Sequence, residues 1–376
     1  MYSEAEIESA VAAGNLTPEA AAALRAHVSG IRSAPGADEE QFRLVTGFND
    51  IFVAIAGILV LVGAGWLGGS VAPWLAGVAV AAAAWGMAEY FTLQRRMALP
   101  SIIFVLAFVG GLYLGGLALY PYLAGPYESV GIPQYPGFWG VFAGAGGSRS
   151  FLLVQAASAA IVVVACWAHW RRFAVPITIA LGVGAIARLV FTLIAVAAYP
   201  NLGQWLLGVV LIGGLAIFAY AMWWDMQDRA RLTRRSDVAF WLHLAASPLI
   251  VHPIFMLIGI NLVAMHGAGT DTGHATLAAV LALIVYAALA VVALAVDRRA
   301  ILVSALAYVL VAAIYLISRI GASGAGFAVA IIVIGSSLLM LSAFWQSMRR
   351  ALLPLLPASI SARVPLAAEV SPRRPS

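Results

Sequence analysis

The sequence predicts an all-α, polytopic membrane protein, and three observations carry that prediction. Hydrophobic residues make up 63% of the chain and charged residues only 10%, whereas a soluble domain needs roughly a quarter of its residues charged to cover its surface. The apolar residues gather in about ten runs, at about 50–67, 71–91, 100–120, 150–170, 174–199, 202–224, 238–265, 273–296, 300–319 and 325–347. Each run is near the roughly 20 residues a helix needs to cross a 30 Å hydrocarbon core. The runs are unbroken stretches of Leu, Ala, Val and Ile without the alternation of a membrane barrel, so helices are expected.

The first element is a small polar segment, residues 1–45. Ser3 to Ala13 reads as a helix, with Gly14 suited to its C-terminal cap. Thr17-Pro18-Glu19 then supplies an N-cap, a first-turn proline and an acid that complements the helix dipole. Ala20, Ala23, Leu24 and Val28 line one face of this second helix. The resulting hairpin is too small to bury a core alone, so it is expected to pack on the membrane domain, on a second copy or on a cytoplasmic partner. Ser33 to Glu40 reads as a flexible acidic linker. The phrase Ala13-Gly14-Asn15-Leu16-Thr17-Pro18-Glu19, ahead of an Ala/Gly/Leu-rich multi-span region, resembles bacterial membrane-protein families classed as domains of unknown function. That resemblance implies the same layout and no activity.

The spans follow at 46–350, and arginines set their orientation. All 21 basic residues are arginine. They cluster after the second, fourth, sixth, eighth and tenth runs (Arg95-Arg96, Arg171-Arg172, Arg229 to Arg235, Arg298-Arg299, Arg349-Arg350), with Arg43 before the first. The other connectors hold at most Arg149 and Arg319. Under the positive-inside rule both termini are cytoplasmic, as in a multi-pass protein of a bacterial inner membrane. Charge placed beside spans is a topology signal and excludes nucleic acid as the expected partner; the partner is the lipid bilayer. The acidic start, Glu4, Glu6 and Glu8, is not that of a cleavable signal peptide. The connector from Pro121 to Ser148 mixes prolines with Tyr and Trp and is expected to lie along the outer interface. From Pro354 onward, within residues 351–376, scattered prolines predict a disordered tail.

Ten spans allow a five-plus-five inverted repeat, and in span number and termini the chain is similar to the drug/metabolite transporter superfamily. The match stops there, because the proline-bearing seventh span has no counterpart in the second. In the third span Gly111 and Gly115 form a Gly-x-x-x-Gly pair, which lets helix backbones approach and predicts a central position for that span. Gly208, Gly213 and Gly214 in the sixth invite the same reading.

Candidate functional residues are those that break the apolar pattern. Glu89, Asp50, Asp225 and Asp297 fall at span ends and read as interfacial or capping groups, as does His169 beside Trp167 and Trp170. No Asp or Glu lies near a span centre, which argues against carboxylate-based ion coupling. Arg188 in the fifth span and His252 in the seventh do lie deep, each about 14 residues in, or about 21 Å from the cytoplasmic edge. The seventh span also holds Pro248 and Pro253, expected to break the helix and to free the carbonyls of Leu244 and Leu249. Two readings stay open: Arg188 donates to those carbonyls as a structural group, or Arg188 and His252 bind an anionic solute or headgroup.

No metal site and no cofactor are expected. Cys166 is the only cysteine, and His243 and His252, nine residues apart, fall on opposite faces of a regular helix. His266, His274 and Asp271 read as a solvated loop. The sequence has no His-Glu-x-x-His, no Gly-x-Ser-x-Gly and no P-loop, so no enzyme is expected. The leading expectation is a transporter-like protein for a small, anionic solute or lipid. The alternative is a membrane scaffold or sensor that recruits partners through the hairpin.

Overall fold

The computed structural model describes residues 4–24, 48–125, 148–199, 205–229, 231, 233–259, 272–319, 324–361 and 363–365. Among them every regular element is a helix. In hydrocarbon a backbone N–H or C=O has no water partner, and a helix satisfies both within its own segment. The hairpin forms α1, Glu4–Ala12, and α2, residues 18–24. The membrane unit begins with α3 (Phe48–Val71), α4 (Pro73–Phe91), α5 (Ala98–Leu117) and the short α6 (Tyr120–Ala124). It continues with α7 (Arg149–Phe173), α8 (Ile177–Ala198), α9 (Leu206–Gln227) and α10 (Arg234–Leu257). Last come α11 (Thr272–Val296), α12 (Ala300–Arg319), α13 (Gly324–Ala343), α14 (Trp345–Leu352) and α15 (Ala358–Ser361).

Among the described residues a helix occupies most of each expected apolar run. Eight helices among the described residues are long and apolar enough to cross a membrane, and a ninth follows if the pair 331–343 and 345–355, bent by 69°, counts as one span. Their outer faces confirm the solvent they require. Phe48 and Trp66 are 82% and 80% exposed, a placement stable in lipid and costly in water.

Turns at the arginine-bearing end share one device. Arg96, Ala174, Arg231 and Asp297 all have positive φ, between 51° and 60°, and each sits where a helix ends and the next must turn back. Left-handed residues close helices by pairing the last carbonyls; Ala174 does so through its N–H to Trp170 O. Helix starts are capped as well. Ser148 Oγ accepts from Phe151 N at 3.2 Å at the start of α7, and Thr233 Oγ1 accepts from Arg235 N at 3.2 Å at the start of α10.

The packing of α4 on α5 depends on glycine. A Cβ added at Gly77 would stand 2.2 Å from Gly111 O and 2.6 Å from Gly115 Cα, so the two backbones touch. On the same helix Gly116 admits Ser158 of α7, and α5 packs on α3, α4 and α7, the central place its glycines predict. In α9 only Gly214 is used in this way, against Leu249 and Ile250 of α10; Gly208 and Gly213 meet nothing. Buried Phe104, Val105, Ala84 and Ala88 fill the core of the first helices. Further along, α10 serves two cores, giving Val238, Leu242 and Ala246 to the one with α8 and α9 and Val251 and Phe255 to the one with α11 and α12.

Two expectations are corrected here. Pro248 and Pro253 do not interrupt their helix: α10 runs unbroken from Arg234 to Leu257 with both prolines inside it. Packing on both sides holds a helix whose local hydrogen bonds the prolines weaken. Regular structure also continues past 351 among the described residues, where a 3-10 turn forms at Leu353–Leu355 and α15 at Ala358–Ser361, and Val364 is buried. In the hairpin's described residues Gly14 takes φ +75° and Thr17 Oγ1 accepts from Ala20 N at 3.1 Å, as expected of a helix end and a helix start. The acidic linker, most of the Pro121–Ser148 connector, the His266 and Asp271 loop and the chain after 365 lie outside the described residues.

Gly77→Ala should destabilise the folded protein by about 1–3 kcal/mol, the usual penalty for overpacking, read as a lowered thermal midpoint in detergent. Gly86→Ala, whose added methyl meets nothing within 4 Å, should be neutral or mildly stabilising, since Ala favours a helix over Gly.

Candidate functional site

Two polar centres lie inside the bundle, and Arg188 forms the first. From α8 its Nε donates to Tyr113 Oη of α5 at 3.1 Å, and its Nη2 donates to Gln155 Oε1 of α7. The guanidinium also lies 5.8 Å from the Phe191 ring centroid, a cation–π contact. Thr192 Oγ1 turns back to Arg188 O at 2.9 Å, which fixes the backbone at this point. Gln155 is fully buried, and its Nε2 has no hydrogen-bond partner among the described residues. Arg188 itself is only half-buried. The centre is therefore a set of donors and a phenol gathered by three helices, with one amide N–H group unsatisfied.

The structure does not join His252 to Arg188. His252 is exposed on α10, and its Nδ1 pairs with Tyr308 Oη of α12 at 2.5 Å. Tyr308 in turn stacks on Phe255 with centroids 4.6 Å apart. The described bonds of Arg188 go to Tyr113 and Gln155, not to the carbonyls that Pro248 and Pro253 free.

The second centre was not foreseen. Asp225, near the end of α9, has a side chain with no exposure, and so does His243 of α10. His243 Nε2–H donates to Asp225 Oδ2 at 2.9 Å, and Arg298 Nη2, from the α11–α12 turn, donates to Oδ1 at 2.6 Å. Arg298, 3% exposed, gives a further bond to Ser236 O at 3.2 Å. His243 packs edge-on against Phe218, and its Nδ1 has no partner among the described residues. Asp225 is thus a buried acceptor shared by two helices and a turn, not an interfacial cap.

A further set of ion pairs continues this centre toward the helix ends. Arg231 Nη1 meets Asp297 Oδ2 at 2.8 Å, and Trp345 Nε1 donates to Asp297 Oδ1 at 2.6 Å. Fully buried Arg349 lies 3.7 Å from the same carboxylate and donates to Leu294 O at 3.1 Å and Pro365 O at 2.5 Å. Arg229 reaches Val364 O and Ser361 O. These bonds order the C-terminal segment. Burial, with the like charge of Arg298 close by, holds Arg231 below the ordinary guanidinium range. The arginines read as topology signals are also structural clamps.

His169 is likewise interior. Its Nδ1 lies 3.1 Å from Thr178 Oγ1, and Trp85, Phe108 and Phe173 surround it. Among the described residues no three His, Cys, Asp or Glu side chains converge as a metal site would require.

Comparison with protein families, with curated proteins and with solved structures finds no match for this chain. Fold and polar centres together define a class, a multi-pass all-helical integral membrane protein.

Removing Asp225 alone would take the shared carboxylate from two buried donors, Arg298 and His243. Asp225→Ala should therefore cost about 3–5 kcal/mol, while Asp225→Leu combined with Arg298→Met should recover much of that loss. Thermal unfolding of the detergent-purified single and double variants checks both.

Proposed function

We propose that this protein crosses the bacterial inner membrane ten times with both termini in the cytoplasm, and that it binds and moves a small anionic solute at Arg188. The short connectors bearing Arg95-Arg96, Arg171-Arg172, Arg229 to Arg235 and Arg298-Arg299 support the orientation. One observation carries the binding reading: a half-buried arginine within a membrane-spanning helix, bonded to Gln155, whose buried Nε2 has no partner among the described residues. Intramembrane arginine is costly and marks a ligand or ion path by default. A carboxylate or phosphate would accept from Arg188 more strongly than an amide oxygen does, and the unsatisfied Gln155 Nε2 supplies a second donor beside it. His252, bonded to Tyr308, is left out of this site.

A second reading, a scaffold or sensor, is favoured by one observation. The hairpin belongs to a unit of its own and leaves Ala20, Ala23 and Leu24, the apolar face of α2, exposed. A second copy or a partner protein would cover that face.

Thermal-shift measurements on the purified protein with inorganic phosphate, glycerol 3-phosphate, succinate and glutamate separate the two. Under the transport reading at least one anion raises the midpoint of the native protein and fails to do so for a folded Arg188→Gln variant. No shift from any anion, with Arg188→Gln as stable as native, would overturn it. Loss of folded protein in Arg188→Gln alone would make Arg188 a structural group.

A further inference from the structure

Past Ala343 the chain leaves the line of its span. The segments 331–343 and 345–355 are bent by 69° from each other. At the end of an upright α13 the second segment therefore departs from the membrane plane by 90° less 69°, about 20°. The 20 residues of α13 rise about 30 Å at 1.5 Å per residue, the thickness of a hydrocarbon core. Nothing after Ala343 is needed to complete that crossing.

The second segment, α14 and the 3-10 turn after it, carries three faces. Trp345 and Arg349 are buried, and Leu352 packs against the same cluster as Trp345, with Leu294 and Leu302. Phe344, Met348 and Leu355 are apolar and 54%, 44% and 80% exposed, with exposed Ala351 between them. Their spacing of four, three and four residues is that of one helical face. Ser347 and Arg350, also exposed, fall about a third of a turn away from that stripe. The described bonds of Arg350 stay on its own helix, to Gln346 O at 3.2 Å and Ser347 Oγ at 3.4 Å. Trp345 Nε1 to Asp297 Oδ1 and Arg349 Nε to Leu294 O fix the roll of the segment, so the apolar stripe is held facing outward.

The stripe continues the apolar outer face of α13, where Ile332, Leu339 and Met340 are exposed. A helix that is apolar on one face, polar on another and nearly flat at the end of a span has the arrangement of an interfacial helix. We propose that α14 and the turn at Leu353–Leu355 lie in the bilayer surface at the arginine-bearing end. Phe344, Met348, Ala351 and Leu355 then sit among the acyl chains just below the headgroups, and Ser347 and Arg350 lie in the headgroup layer. The occupant of the stripe is lipid, and not a second copy or a soluble partner. Trp345 and Arg349 belong to the ionic network at the helix ends, so this seat holds that network at a set depth. The inference does not depend on the anion proposed at Arg188.

Spin labels on the full-length protein in nanodiscs test this, in a Cys166→Ala background that leaves one cysteine per variant. Labels at Met348→Cys and Leu355→Cys should collide more with oxygen than with a water-soluble nickel chelate, at a depth of about 5–10 Å. A label at Ser347→Cys should show the reverse, and Leu339→Cys on α13 marks the hydrocarbon. In the native background, where Cys166 is buried, a charged maleimide should modify Ser347→Cys and spare Met348→Cys and Leu355→Cys. That second measurement decides the matter if the Cys166→Ala background does not fold. Three results would overturn the proposal: chelate or maleimide access at 348 and 355 equal to that at 347, which means a stripe in water; loss of both oxygen and chelate access there, which means a protein cover; or a label at 347 as deep as the one at 339, which means the second half of a broken span.

Discussion

An unpaired polar group in hydrocarbon costs several kcal/mol, because no water is present to satisfy it, and the rest of this structure follows from that cost. It makes every regular element among the described residues a helix. It also explains where the ionic groups have gone. Arg349 is completely buried, so its donors must find protein acceptors, and they take Leu294 O and Pro365 O. Arg229 takes Ser361 O and Val364 O in the same way. Two guanidiniums thus take carbonyls of the described residues in the proline-bearing C-terminal segment as acceptors.

The same constraint bears on the turns. Left-handed backbone costs a non-glycine residue roughly 1–2 kcal/mol, yet four such residues close helices at one end of the bundle. Two of them, Arg231 and Asp297, are ion-paired to each other across separate turns. Their conformation directs both side chains into one network with Trp345 and Arg349, and the bonds formed there offset the local strain. The α9–α10 turn, the α11–α12 turn and α14 are thereby tied together, close to where Arg298 already ties α9 and α10 to the α11–α12 turn.

Local chemistry was legible in the sequence and tertiary chemistry was not. Thr17 caps its helix, Gly14 reverses the chain, and Gly77, Gly111 and Gly115 show why a small-residue stripe in α5 predicts close packing. Each of these depends on residues within a turn or two, or on the absence of a side chain. Asp225, His243 and Arg298 failed to stand out because their identity as a site rests on a meeting of residues 18 and 73 positions apart. An arginine that orients a span and one that neutralises a buried carboxylate have the same sequence context. The prolines of α10 mislead for the converse reason. The local rule says that they break a helix, and α10 is held by cores on both sides that the rule does not see.

The two interior arginines differ in burial and in the oxygens described around each. Arg298 is sealed against a carboxylate that also holds His243. Parting it from Asp225 would break a buried, hydrogen-bonded ion pair, a change that costs about 3–5 kcal/mol when one partner is removed, so this centre acts as a clamp. Arg188 sits in a half-buried position and donates to an amide and a phenol, neutral acceptors whose bonds contribute roughly half as much as charged ones. The contrast between them lies in burial and in the charge of the described acceptors, a carboxylate for Arg298 and neutral oxygens for Arg188.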